Sequence, residues 1–115
     1  MSSPGSISWF YITMSDEAIS LSVSAPGRPP WQAAIPWNSI TRVCFAAEGP
    51  FDSDGLHIFT DLRPASWAVP VEAEGGADLL NELVRRGLFD AGLAITAALA
   101  SSGLFCWPPA DTRRN

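Results

Sequence analysis

The stretch AISLSVS, residues 18–24, alternates Ile19, Leu21 and Val23 with Ser20, Ser22 and Ser24. Successive side chains of an extended strand point to opposite faces, so this period of two gives one face for a core and one for water. A helix of the same sequence would scatter its apolar residues around the axis. The constraint spreads to the neighbouring segments. SISWFYITM, residues 6–14, is rich in β-branched and aromatic residues with apolar side chains on both faces, which reads as a strand well covered by neighbours. Asp16 and Glu17 lie between the two runs and predict a turn, hence an antiparallel hairpin.

The pattern continues in short strands. APGRPP, residues 25–30, is a loop, because three prolines and a glycine do not fit a central strand. A third strand over 31–35 ends at Pro36, and Asn38 and Ser39 supply turn-forming side chains. A fourth strand, 41–47, carries Val43 and Phe45 on one face and Arg42 and Cys44 on the other. The acidic, turn-rich EGPFDSDG connects it to a fifth strand at 55–60. A sixth follows at 66–71, where Pro70 points to an edge. The period then changes. Leu79, Leu80, Leu83 and Val84 form a helical stripe over 76–87, with Gly87 as its C-terminal cap and a Glu82–Arg86 pair on the solvent side. Asp90 caps a second, alanine-rich helix over 90–101, stopped by Gly103, and LFCWPP sets Phe105 and Trp107 against the rest. The expected fold is α+β, mainly β: a small antiparallel β-barrel or sandwich of six to seven strands closed by a C-terminal helix, with an extra C-terminal helical segment. One domain spans 1–110, and 111–115 is a tail.

This order, with the segments IPWNSITRV, GLHIFTD, SWAVPV and ADLLNELVRRG, resembles bacterial members of the pleckstrin-homology-like superfamily, including the GRAM-type domains. The resemblance is one of pattern and covers about residues 6–87. It implies a partly open barrel plugged by a helix, no catalysis, and binding of phosphoinositides, peptides or proteins. Phosphoinositide binders of that superfamily resemble one another in a basic cluster on the first hairpin. Here that hairpin holds Asp16 and Glu17 and no arginine, so headgroup binding does not transfer. Six strands replace the usual seven, and residues 88–107 extend past the closing helix, either to cover an edge or to make an interface.

Charge excludes further classes. The chain carries a formal net charge of −5, its seven basic residues are all arginine, and Arg113 and Arg114 lie in the tail. Nucleic-acid and anionic-membrane binders need a basic patch to displace counterions or meet headgroups, and none is evident. No apolar stretch approaches the roughly 20 residues of a membrane-spanning helix. The N-terminus lacks the basic-then-apolar order of a signal peptide, so a cytoplasmic location is expected. Cys44 and Cys106 are far apart among apolar neighbours and read as reduced, structural residues, although a single disulfide is arithmetically open. One histidine and two separated cysteines do not make a zinc site. DSDG, residues 52–55, lacks the third ligand and the later glutamate of a calcium loop. No metal or cofactor is expected.

Candidate functional residues are few. His57 meets Cys44 if strands four and five pair, but a half-buried strand histidine is the simpler reading. Glu48, Asp52, Asp54 and Asp61 gather at one end if those strands form a hairpin, as an ordinary acidic surface or as a face for a basic protein. Tryptophans in small β-folds are most often core pieces. Trp31, after GRPP, and Trp107, before two prolines, adjoin loops and so are also candidate anchors for a partner. Trp37 sits at the corner before strand four. The leading expectation is a non-catalytic protein-interaction module with a protein partner of basic character, for instance a small bacterial antidote or immunity protein. An open sheet edge and the alanine-rich helix also leave a homodimer open. The alternative is a lipid- or small-molecule-binding domain with its ligand in the barrel mouth near Trp31 or Trp37. An enzyme comes third.

Overall fold

The computed structural model describes residues 7–47 and 54–109. The alternation of residues 18–24 organises the first sheet. Strand β1 (Ile7–Met14) pairs antiparallel with β2 (Ala18–Val23), which pairs antiparallel with β3 (Trp31–Pro36). Their registers stack side chains in rows across the sheet. Ile12, Leu21 and Ala33 form one inward row, and Met14, Ile19 and Ile35 another. The rows between them, Tyr11–Ser22–Gln32 and Thr13–Ser20–Ala34, face outward. Each polar residue of the alternation thus falls beside another outward residue, and a slip of one residue would reverse every face.

A short 3-10 turn (Trp37–Ser39) then leads into β4 (Ile40–Ala47). The Ser39 hydroxyl donates to the Pro36 carbonyl at 2.6 Å, closing the turn that Asn38 and Ser39 predict. The second sheet consists of β4, β5 (Gly55–Thr60), β6 (Arg63–Pro70) and β8 (Gly103–Trp107), in the order β6-β5-β4-β8. Here Val43 lies between Ile58 and Trp107, and Phe45 between Leu56 and Phe105. The first sheet gains a two-residue strand, β7 (Ala73–Glu74), parallel to β1, for the order β3-β2-β1-β7.

Two helices follow β7. Helix α1 (Gly76–Arg85) buries Leu79 and Leu83 completely, as the stripe predicts, each burial contributing roughly 1.5–3 kcal/mol before entropy is counted. It begins at a close approach: a side-chain carbon on Gly76 would lie 2.1 Å from the Val71 carbonyl oxygen, so only glycine fits there. Gly87, at φ 74°, ends it as expected. Helix α2 (Ala91–Leu99) is capped by Asp90, whose carboxylate accepts from the Leu93 amide at 2.8 Å. It buries Ala97 and packs on β4 and β8. Residues of both sheets and both helices meet in one core.

Four expectations are corrected. Among the described residues no strand joins the two sheets, so of the expected barrel or sandwich the closed barrel is not formed and two four-stranded sheets are, with β3 and β6 both sheet edges. Prolines guard those edges, with Pro29 and Pro30 before β3, Pro36 at its end, and Pro64 and Pro70 in β6. Among the described residues the strands number eight rather than six or seven. The additional C-terminal segment is also not helical throughout, because LFCW forms β8 after the helix ends. Sixth-strand pairing begins at Arg63, earlier than the expected residue 66.

Candidate functional site

Trp31 opens β3 beside Val23, on the inward side of the first sheet, where the edge strand leaves its indole half-covered. Across the open side of the fold lies Trp67 of β6, the edge of the second sheet. The two indoles stack at 6.1 Å between ring centroids with 27° between planes. Phe10 meets Trp31 edge-on at 6.2 Å, and Trp9 lies 6.1 Å from Phe10. An aromatic seam therefore bridges the edges that no backbone pairing joins. Each such ring pair adds about 0.5–1.5 kcal/mol beyond its buried area.

Arg63 completes the seam. A register irregularity of β6 against β5 lies between residues 63 and 67, and the Arg63 guanidinium carbon comes to 3.5 Å from the Trp67 ring centroid. Its Nε and Nη2 donate to the carbonyls of Ala65 and Ser66 at 2.8 and 2.7 Å, which fixes the guanidinium in place. Trp31 remains 42% exposed and the neighbouring Leu62 67% exposed. Two shallow concavities flank Trp67. One, of about 450 Å³, is lined by Trp31, Arg63, Ser66 and Ala68; the other, of about 220 Å³, runs between Ile35, Pro36, Thr60 and Leu62.

The remaining candidate residues are dispersed. Trp37 is buried, its indole N–H donates to the Ser15 carbonyl at 2.8 Å, and Arg86 lies 4.0 Å over its ring. That residue joins the first hairpin to the end of α1, and with Asp16, Glu17, Asn38 and Arg86 it lines an open surface concavity of about 630 Å³. Arg86 is also held by Glu82, with Nε 2.7 Å from the carboxylate. Arg85 pairs with the same carboxylate, its Nε 2.9 Å from Oε1. The hydrogen-bonded Arg85, aided by Arg86, holds the Glu82 carboxyl at about 2, below its ordinary 4.5. Trp107 is half-buried on β8 beside Val43, away from Trp31. Asp54 precedes β5 and Asp61 follows it, so a six-residue strand of roughly 20 Å separates them. The expected clustering of Asp54 with Asp61 is therefore overturned, and Glu48 and Asp52 lie outside the described residues. Among the described residues no histidine, cysteine, aspartate and glutamate side chains gather into a metal-binding group.

Strand pairing does set His57 opposite Cys44, on the face away from the core. The expected free thiol is corrected, however: Cys44 is disulfide-bonded to Cys106. The cause is β8, whose register places Cys106 directly across from Cys44. A disulfide sulfur is no thiolate nucleophile, so His57 has no activated cysteine beside it. The residues of this candidate site that sequence reading missed are Leu62, Arg63 and Trp67. The irregular pairing between Arg63 and Trp67 brings the two side chains together, and no strict alternation along R-P-A-S-W signals it. No family model, no curated protein and no solved structure matches this chain.

Proposed function

We propose that this chain is a non-catalytic protein-interaction module that receives an extended segment of a partner along the aromatic seam. The observation that carries the reading is the exposed Trp31, stacked on Trp67 beneath a fixed Arg63, between two sheet edges. Tryptophan and arginine dominate interface hot spots, and rings already locked by neighbours lose little entropy on binding. Because prolines block strand addition at the β3 and β6 edges, the partner segment would be held by its side chains against Trp31, Arg63 and Leu62 rather than by a shared main-chain ladder. The net charge of −5 favours a basic partner, mainly by speeding encounter. A small antidote or immunity protein is one concrete form. Disulfides persist in oxidising compartments, so the Cys44–Cys106 bond favours such a setting over the cytoplasm.

The test compares wild type with Trp31→Ala and Leu62→Asp, whose exposed side chains leave the fold intact by circular dichroism. A partner identified by cross-linking to wild type should bind Trp31→Ala at least about 30-fold more weakly, the loss of a hot-spot residue of roughly 2 kcal/mol. Equal binding by both variants refutes the site. Quenching of tryptophan fluorescence by a metabolite or lipid, abolished in Trp31→Ala with no protein partner recovered, would instead establish a small-molecule site and refute the module.

A further inference from the structure

Arg63 and Trp67 line both concavities of the seam, the one that Trp31 borders and the one that Leu62 borders. The stacked guanidinium and indole therefore divide the site into two neighbouring spaces. Its hydrogen-bonding capacity is only partly used. Among the described residues neither the Trp31 nor the Trp67 indole N–H donates a hydrogen bond, and of the Arg63 nitrogens Nη1 makes none. An indole nitrogen donates and does not accept, and the same holds for a guanidinium. The seam thus offers two aromatic faces together with unspent donors.

These features discriminate between kinds of extended segment. A β-strand satisfies its amides by pairing, and Pro36, Pro64 and Pro70 interrupt the ladder that β3 and β6 could lend it. A polyproline II segment has no such need. It makes no internal hydrogen bonds, its prolines carry no N–H, and its solvated carbonyls accept from side-chain donors. It rises about 3.1 Å per residue with three residues per turn, so residues i and i+3 share one face roughly 9 Å apart. Its stiffness before binding also keeps the entropy cost of docking on an aromatic surface low.

We infer that the segment received at the seam is proline-rich and in the polyproline II conformation, with prolines at i and i+3 seated on either side of the Arg63–Trp67 pair. The inference rests on the proposed use of the seam as a contact surface, and adds the chemical class of the partner. Proline rings pack on the faces of Trp31 and Trp67, which are apolar and already positioned by their mutual stacking. The indole N–H groups and Nη1 of Arg63 donate to the carbonyls of the segment, which no proline N–H competes to satisfy.

Titration calorimetry of the oxidised protein with decaproline tests it, with an alternating threonine–serine peptide of equal length as the control for an extended chain that is not polyproline II. Decaproline should bind saturably below millimolar concentration, and the control should not. Trp31→Ala should weaken decaproline binding at least about tenfold, as loss of an anchoring ring does. Trp31→Phe keeps an aromatic face and removes the donor, so it should weaken binding about fivefold. Absence of decaproline binding at millimolar concentration overturns the inference, as does equal binding of the control or binding that Trp31→Ala leaves unchanged. A cross-linked partner that needs Trp31 but docks through a segment without proline overturns this inference alone and leaves the interaction module standing. A partner indifferent to Trp31→Ala removes the module and this inference together.

Discussion

Removal of the Cys44–Cys106 bond tests the most consequential difference between the chain's pattern and its fold. The two cysteines are 62 residues apart in sequence. Closing a loop of that length removes about 14 cal/mol/K from the unfolded chain, or about 4 kcal/mol at room temperature. Besides the bond, β8 is held by its ladder with β4, by its packing against α2 and by Phe105 and Trp107 packed on the core. For a chain of 115 residues, each kcal/mol moves the melting temperature by about 4 °C. Protein equilibrated with oxidised glutathione should therefore melt about 15 °C higher than the same protein after reduction. Cys44→Ala/Cys106→Ala should melt like the reduced protein and ignore reductant. Calorimetry with and without reductant measures the shift, and alkylation followed by mass spectrometry counts the thiols. Two alkylated thiols after glutathione oxidation would refute the pairing of β8 with β4. So would a shift under about 4 °C, because the loop would then not be closed in the folded protein.

Two other perturbations address the first helix. Gly76→Ala should destabilise the protein by about 3 kcal/mol in urea unfolding, because the new carbon meets the backbone oxygen of Val71 and the backbone must move. Glu82 titrates at about 2 when folded, against an ordinary 4.5. A depressed pKa contributes stability that is fully present above the unfolded value and fades as pH falls through the folded one. Melting temperature should accordingly drop between about pH 4.5 and 2 in part through Glu82, less so at high salt. Glu82→Gln should flatten that part of the profile, and an unchanged slope would place the acid sensitivity elsewhere.

Local periodicity made much of this fold legible. The alternation of residues 18–24 specified an inward and an outward face, and the register with β1 and β3 preserves both. The stripe of Leu79 and Leu83, the glycine at 87 and the cap at Asp90 are properties of a few consecutive residues, and each reappears in place. Residues 103–107 were harder to read because they are short, apolar and bounded by glycine and proline. A run of that kind becomes a strand only when another strand's edge is available to pair with it.

What the sequence alone determined was the alphabet of elements and the face each turns inward, because strand and helix periods depend on neighbours along the chain. What the tertiary structure decided was every relation across the chain. It set Cys106 opposite Cys44, carried Asp54 and Asp61 to opposite ends of β5, and brought Trp31 onto Trp67. It also set the Trp37 indole between the Ser15 carbonyl and the Arg86 guanidinium, joining the first hairpin to α1. Such relations depend on which edge each strand takes, and pairing energy is nearly indifferent to sequence along the backbone. Only the packing of the whole core chooses among the edges.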